Sequence, residues 1–215
     1  MSVDAKICGV STPGALAAAV SSGARWVGLV FFPRSPRAVT VEQAAALTEG
    51  LGPQTQSVAL LVDPEDALLE QVAERLRPDL LQLHGSETVK RVAEIRGRWG
   101  IPVMKVIKVA RAEDLEPVAA FEPVADRLLF DAKPPASLAN PLPGGNAVSF
   151  DWRLLAGRRW GRPWMLSGGL TLDNLREAVQ ITAAPAVDVS SGVEDAPGQK
   201  SPEKIREFLA LCHAL

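Results

Sequence analysis

Residues 57–83 read SVALLVDPEDALLEQVAERLRPDLLQL, two apolar runs with a helix pattern between them. The runs Ser57–Val62 and Leu80–Leu83 do not alternate with polar residues, which is typical of strands buried on both faces of a parallel sheet. Asp63-Pro64-Glu65 forms a typical helix start ahead of Ala67–Leu76. This stretch therefore predicts two parallel strands joined by a helix.

The same unit recurs along the chain. Strands are predicted at Ala5–Gly9, Trp26–Phe31, Ser57–Val62, Leu80–Leu83, Val103–Val106, Arg127–Asp131, Trp164–Ser167 and Val187–Ser190. Helices are predicted at Ala15–Val20, Val41–Thr48, Ala67–Leu76, Val89–Trp99, Leu172–Ile181 and Lys204–Leu211, and Ser86 and Thr171 are expected to open the fourth and fifth of these. Six helices can thus be placed, and one is expected after every strand. Eight strands in this alternation predict the α/β class and favour a closed (β/α)8 TIM barrel, a single domain over residues 1–215. The alternative is a doubly wound open sheet, but residues 8–12 (CGVST) lack the glycine-rich fingerprint that follows the first strand of that fold.

The composition excludes several classes of protein. With a net charge of −2, the chain has no overall field that would favour nucleic acid or an anionic membrane as a partner. The longest apolar runs, such as Val27–Phe32, are too short to cross a bilayer, and Met1–Gly9 has no signal-peptide pattern. The two cysteines, Cys8 and Cys212, have no metal-ligand spacing. We therefore expect a cytoplasmic protein that holds no metal.

In a barrel of this kind the reacting groups lie at the carboxyl ends of the strands and in the loops that follow. The polar candidates there are Cys8, Arg34, Arg37, Asp63, His84, Lys105, Asp131, Ser167-Gly168-Gly169 and Ser190-Ser191-Gly192. The two glycine-containing loops follow strands seven and eight. The loops at these two positions form the common phosphate site of the fold. Each could be an ordinary tight turn, but the pair favours a monophosphate ligand.

Two of these candidates could carry acid–base chemistry. Cys8 could act as a base if a positive neighbour held it as thiolate, although a cysteine in an apolar strand is more often an inert core residue. Asp131 follows three apolar residues, where desolvation suits a general acid, and its alternative is a salt bridge or a cap. Arg34 or Arg37 could bind a carboxylate, with a solvated loop as the alternative. His84 either orients a ligand or satisfies a buried backbone group.

Taken in order, these motifs make the chain resemble the phosphoribosylanthranilate isomerase family nearly from end to end. The resemblance is carried by Lys6-Ile7-Cys8-Gly9, Phe31-Phe32-Pro33-Arg34-Ser35-Pro36-Arg37, Gln82-Leu83-His84-Gly85, Leu128-Leu129-Phe130-Asp131, Phe150-Asp151-Trp152, Leu166-Ser167-Gly168-Gly169-Leu170 and Asp188-Val189-Ser190-Ser191-Gly192-Val193-Glu194. It implies a cofactor-free Amadori rearrangement of N-(5-phosphoribosyl)anthranilate, a step of tryptophan biosynthesis.

The resemblance also implies roles for individual residues. Asp131 would be the general acid that opens the ribose ring, and Cys8 the general base that removes the C2 proton. Substrate binding falls to Arg37, which faces the anthranilate side, with His84 and Asp188. Phosphate binding falls to Gly168, Gly169, Ser190, Ser191 and Gly192.

One stretch departs from the family pattern. The family usually has a Gly-Gly-Thr-Gly-like loop with a nearby lysine, whereas residues 144–150 read GGNAVSF, in which Ala147 interrupts the glycines. We expect this change to affect turnover or affinity rather than the type of reaction. The altered loop also supports an alternative function, that of a phosphate-binding protein without catalytic activity.

Other phosphosugar barrels are the rival enzymes. A histidine-pathway isomerase typically uses two aspartates, and Cys8 stands in place of the first. An indole-forming synthase needs a lysine-rich site, and only Lys6 and Lys105 lie near strand ends. The expected partner is a small phosphosugar substrate, with no nucleic acid and no membrane, and the expected state is a monomer because no exposed apolar helix face stands out.

Overall fold

The computed structural model describes residues 2–135, 137, 142 and 144–215. Its parallel strands β1 to β8 hydrogen-bond in sequence order, and β8 pairs with β1 to close the barrel. The strands are β1 (Asp4–Cys8), β2 (Trp26–Val30), β3 (Gln56–Leu61), β4 (Leu80–Leu83), β5 (Val103–Val109), β6 (Arg127–Ala132), β7 (Trp164–Leu166) and β8 (Ala186–Val189). The predicted closed barrel is therefore confirmed. All predicted strand bounds lie within one residue of these except the end of β5, which extends to Val109.

Helices surround the barrel. They are α1 (Pro13–Ser21), α2 (Val41–Thr48), α3 (Asp66–Gln71, continued by a π turn at Val72–Leu76), α4 (Val89–Trp99), α5 (Val118–Phe121), α6 (Leu175–Thr182) and α7 (Pro202–His213). A short antiparallel pair, β9 (Glu194–Ala196) and β10 (Gln199–Lys200), lies between β8 and α7. None of the helices in the part of the chain that the structure describes is both long and apolar enough to cross a membrane.

The expectation that every strand is followed by a full helix is wrong at two places. After β5 the chain forms a 3-10 turn and the four-residue α5, because Pro117 precedes the helix and Pro123 stops it. After β6 the described residues form only the 3-10 turn Trp152–Leu154, whose first turn is capped by Asp151.

Two predicted helix-opening residues are also wrong, although α4 itself spans Val89–Trp99 as predicted. Thr88, not Ser86, caps α4, because its side-chain oxygen accepts the Arg91 amide at 3.2 Å. Helix α6 begins at Leu175 rather than Leu172, since Asn174 Oδ1 accepts the Thr171 amide at 2.8 Å and holds the preceding residues in a turn.

Side-chain alternation separates the two layers of core. Along β3, Val58, Leu60 and the following Val62 share one face and point into the barrel, whereas Ala59 and Leu61 pack outward against the helices. At the level of Val58 the barrel interior is filled by one cluster of apolar side chains: Val58, Trp26, Leu80, Met104, Val106, Leu129, Met165 and Ala186. Polar chemistry is thereby confined to the carboxyl-terminal mouth.

A buried ion pair fixes the loop between β4 and α4. Lys105 Nζ lies 2.5 Å from Glu87 Oε2 and 3.0 Å from the Gly85 carbonyl oxygen. Glu87 Oε1 accepts the amides of Asp63 at 2.9 Å and Gly85 at 3.0 Å. Burial alone would raise the pKa of Glu87, but the Lys105 ammonium and these hydrogen bonds bring it below its usual range.

Glu87→Gln is expected to lower the free energy of unfolding by about 3–5 kcal/mol at neutral pH, because it leaves the Lys105 charge buried without a partner. The folded-state pKa of Glu87 is depressed, so its contribution is present above about pH 4 and is lost as the pH falls through the folded value. Urea unfolding of both proteins across this range checks the prediction. Glu94→Gln on the exposed face of α4 is the control, with an expected change below about 0.5 kcal/mol. Equal stability of Glu87→Gln and the wild type at neutral pH would contradict the prediction.

Candidate active site

The candidate active site is a pocket at the carboxyl-terminal mouth of the barrel. Its walls are formed by Cys8, Val30, Phe32, Ser35, Arg37, Leu60, Val62, His84, Asp131, Leu142, Gly144, Gly145, Ser167, Gly168, Gly169, Leu170, Asp188, Ser190 and Ser191. Of the residues to which the resemblance assigns a site role, all but Gly192 line this pocket, whereas the other strand-end candidates Arg34, Asp63 and Lys105 do not. Of the two arginines that could bind a carboxylate, Arg37 is buried in the pocket wall, whereas Arg34 is exposed with its guanidinium over the Phe32 ring.

Cys8 has a buried positive neighbour. Lys6 lies two residues earlier on the same face of β1, and its Nζ donates to Asp188 Oδ1 at 2.8 Å. A Cβ atom on Gly28, on the adjacent strand β2, would lie 2.9 Å from Lys6 Nζ and 3.0 Å from Cys8 Sγ. Glycine at this position therefore lets the ammonium and the thiol approach each other.

The electrostatics of this pair follow from burial. Burial raises the pKa of the Cys8 thiol, and the Lys6 ammonium works in the opposite direction. Burial alone would lower the pKa of Lys6, but the Asp188 carboxylate and Cys8 raise it above its usual value. Lys6 therefore stays charged beside the thiol. Sequence reasoning missed this role, although a lysine inside an apolar strand, two residues before Cys8, was the available signal.

Asp131 lies at the opposite wall, hydrogen-bonded to His84. His84 Nε2 lies 3.1 Å from Asp131 Oδ2, and Gln82 Nε2 lies 3.2 Å from His84 Nδ1. Since the Gln82 amide nitrogen can only donate, we assign Nδ1 as the acceptor and Nε2 as the protonated nitrogen that donates to Asp131. His84 thus contacts the candidate acid directly.

The segment that departs from the family pattern approaches this pair. A Cβ atom on Gly144 would lie 2.6 Å from His84 Cε1 and 3.0 Å from Asp131 Oδ2, so only glycine fits there. Ala147 has φ of 55°, in the left-handed region that glycine adopts freely and alanine does not. Alanine in this conformation costs roughly 1–2 kcal/mol.

The two glycine-containing loops lie side by side, as the sequence predicts. Gly168 and Gly169 have φ of 93° and 65°, and a Cβ atom on Gly192 would lie 2.0 Å from the Leu170 carbonyl oxygen. The loops after β7 and β8 therefore touch through backbone. Helix α6 begins only at Leu175, so Gly168 and Gly169 precede its first turn.

Glu194 and Lys200 complete the site on the side of Arg37. Arg37 Nε and Nη2 donate to Glu194 Oε1 and Oε2 at 2.7 and 2.8 Å. Lys200 Nζ lies 2.5 Å from Glu194 Oε1 and 3.0 Å from the Ser190 carbonyl oxygen. Burial would raise the pKa of Glu194, but Arg37 and Lys200 bring it below its usual range. Glu194 ended a motif quoted from the sequence, whereas nothing in the sequence marked Lys200.

Comparison with known proteins identifies the family. A family model described as N-(5'-phosphoribosyl)anthranilate (PRA) isomerase matches residues 5–210. The N-(5'-phosphoribosyl)anthranilate isomerase of Rhodospirillum centenum is 58% identical over 215 residues, which cover 100% of both chains. A crystal structure of monomers generated from the dimeric phosphoribosylanthranilate isomerase of Thermotoga maritima superposes with a TM-score of 0.84 at 32% identity, covering 99% of this chain and 100% of that one.

A further solved phosphoribosylanthranilate isomerase is in complex with reduced 1-(o-carboxyphenylamino)-1-deoxyribulose 5-phosphate. It superposes with a TM-score of 0.84 at 32% identity, and covers 99% of this chain and 100% of that one. The match of both sequence and structure extends over the whole barrel. This chain belongs to the N-(5'-phosphoribosyl)anthranilate isomerase family.

Proposed function

We propose that this chain converts N-(5-phosphoribosyl)anthranilate to 1-(2-carboxyphenylamino)-1-deoxyribulose 5-phosphate by general acid–base catalysis. The observation that carries the proposal is the placement of Cys8 on β1 and Asp131 on β6 at one pocket, between the glycine loops and Arg37. Membership of the isomerase family supports the choice of substrate.

Asp131 begins the reaction as the acid. Its carboxyl group donates a proton to the ribose ring oxygen, the bond between that oxygen and C1 breaks, and the nitrogen lone pair forms a C1–N double bond. The product is an open-chain protonated Schiff base, and Asp131 is left as a carboxylate. His84 supports this role because its Nε2–H is placed to hydrogen-bond the carboxylate that forms.

Cys8 completes the reaction as the base. The thiolate removes the C2 proton, and the electron pair of the C2–H bond moves to form an enolamine, which tautomerises to the C2 ketone. Lys6 supports this role, because a fixed ammonium beside the sulfur favours the thiolate that must form. The sequence of steps is redox-neutral: C1 is reduced and C2 is oxidised within one molecule.

The two charged ends of the substrate have separate places. Gly168, Gly169, Ser190 and Ser191 line the part of the mouth proposed to hold the phosphate, where the two glycines leave backbone amides uncovered by side chains, and Gly192 is proposed to contribute from the adjoining turn. Arg37 is proposed to hold the anthranilate carboxylate, and Asp188 to contact the substrate while it holds Lys6. The monomeric state, the single domain and the cytoplasmic location stay predictions.

Turnover and binding by the purified chain test the proposal. Loss of substrate fluorescence reports conversion, and calorimetry with the reduced, non-reactive product analogue reports binding. We expect both. Tight binding without turnover would contradict the proposal and favour the silent phosphate-binding protein, for which the strained Ala147 in the 144–149 segment is the supporting observation.

A further inference from the structure

The antiparallel pair β9–β10 joins the two ends of the pocket through a continuous line of hydrogen-bonded polar groups. Lys200 and Glu194 are neighbours in this pair, and their side chains are 1% and 4% exposed. Glu194 bonds Arg37, the proposed carboxylate ligand, and Lys200 bonds Ser190 of the proposed phosphate loop at both its carbonyl oxygen, 3.0 Å, and its Oγ, 3.3 Å. Ser190 Oγ in turn donates to the Cys8 carbonyl oxygen at 3.1 Å.

Glu194 fixes which edge of the Arg37 guanidinium faces the pocket. A guanidinium has five N–H groups in a rigid plane, and Glu194 takes Nε and one hydrogen of Nη2. Within residues 2–135, 137, 142 and 144–215, no hydrogen bond engages Nη1. A Cβ atom on Gly145 would lie 2.6 Å from Nη1, so this nitrogen points toward the segment that lines the pocket. The Nη1–Nη2 edge therefore faces Gly145, where Nη2 also donates to the Gly145 carbonyl oxygen at 3.4 Å, and a planar anion held by this edge would take the place of that long contact.

Lys200 balances the negative charge of Glu194 in the Arg37–Glu194 pair. Arg37 and Glu194 alone form a neutral pair, which has little net attraction for a carboxylate that approaches the other edge of the arginine. The Lys200 ammonium, 2.5 Å from Glu194 Oε1, balances the glutamate and restores a net charge of +1 to the group. Since all three side chains are at most about 5% exposed, solvent screens this charge weakly.

We propose that Glu194 and Lys200 are positioning residues that make the enzyme selective for substrates with a carboxylate on the aromatic ring. Glu194 orients Arg37, and Lys200 supplies the charge that lets the oriented arginine attract the carboxylate. The proposal rests on the proposed function, because it assigns selectivity to the same pocket.

The test compares two substrates that differ only in this group: N-(5-phosphoribosyl)anthranilate and N-(5-phosphoribosyl)aniline. The measured quantity is the ratio of their kcat/KM values, in which any effect of Lys200 on the shared phosphate through Ser190 cancels. Lys200→Gln removes the charge and keeps polar atoms for Ser190 and Glu194. We expect it to lower the ratio about ten-fold or more, whereas Lys200→Arg, which keeps the charge, is expected to hold the ratio within about three-fold.

A second variant keeps the test decisive if Lys200→Gln does not fold. Glu194→Asp conserves every charge but is one methylene shorter, so it cannot hold Arg37 and Lys200 together, and we expect the ratio to fall. An unchanged ratio in Lys200→Gln or in Glu194→Asp, or an equal fall in Lys200→Gln and Lys200→Arg, would overturn the inference. A wild-type chain that converts neither substrate would instead overturn the proposed function.

Discussion

Cys8→Ser is expected to lower kcat by about 10²–10⁴-fold, the range typical for the loss of a general base. Serine fits the buried space of the thiol, but its hydroxyl is far less acidic and does not form an anion beside Lys6 at neutral pH. Because the pocket walls are otherwise unchanged, affinity for the reduced product analogue should stay within about three-fold of the wild type. Fluorescence assays of turnover and calorimetry on the same preparation measure the two quantities.

The matched control for this variant is Cys212→Ser. Cys212 is the other cysteine, fully buried in α7 and outside the pocket, where burial raises the pKa of its thiol to about 12. We expect this variant to retain wild-type kcat. Full activity in Cys8→Ser, or an equal loss in both variants, would remove Cys8 from the proposed chemistry.

Asp131→Asn is expected to lower kcat over the same range of about 10²–10⁴-fold. The amide has the shape of the carboxyl group, and its oxygen can still accept the hydrogen bond from His84 Nε2, but it has no acidic proton to give to the ring oxygen. The ring then stays closed, so substrate should bind and persist. Rapid mixing measures how fast the variant consumes substrate, and calorimetry measures its affinity for the reduced analogue. Together they separate slow ring opening from a loss of binding.

Asp151→Asn provides the comparison. Asp151 is exposed and caps the 3-10 turn after β6, and asparagine is an equally good cap. We expect no change in kcat. If Asp131→Asn kept wild-type turnover, Asp131 would not be the acid. If its affinity for the analogue fell by as large a factor as kcat, Asp131 would be a structural residue.

The barrel could be predicted because its information is local. An unbroken apolar run such as Val58–Val62 indicates a strand buried on both faces, and eight such runs in alternation leave few topologies. The same rule placed Cys8 and Asp131 at one mouth, since parallel strands end together. Helix boundaries were less predictable, because the start of α6 depends on one hydrogen bond from the Thr171 backbone N–H to Asn174 Oδ1.

The supporting charges could not be predicted because their partners are far apart in sequence. Lys6 and Asp188 are separated by 182 positions, and Arg37 and Glu194 by 157. A lysine near a strand end could equally be solvated, and only closure of the barrel between β1 and β8 brings Lys6 and Asp188 together. Lys200 lies on a strand of only two residues, which is too short for its sequence pattern to indicate a strand or a buried side chain.

The most direct test of the account is the carbon-13 NMR spectrum of the reaction of the wild-type chain with substrate labelled at ribose C2. The C2 resonance is expected to move from the alcohol region to the ketone region as substrate is consumed, because the hydroxyl carbon of the aldose becomes the carbonyl carbon of the ketose. A C2 resonance that stays in the alcohol region while the analogue still binds would show a pocket that holds the substrate and does not isomerise it.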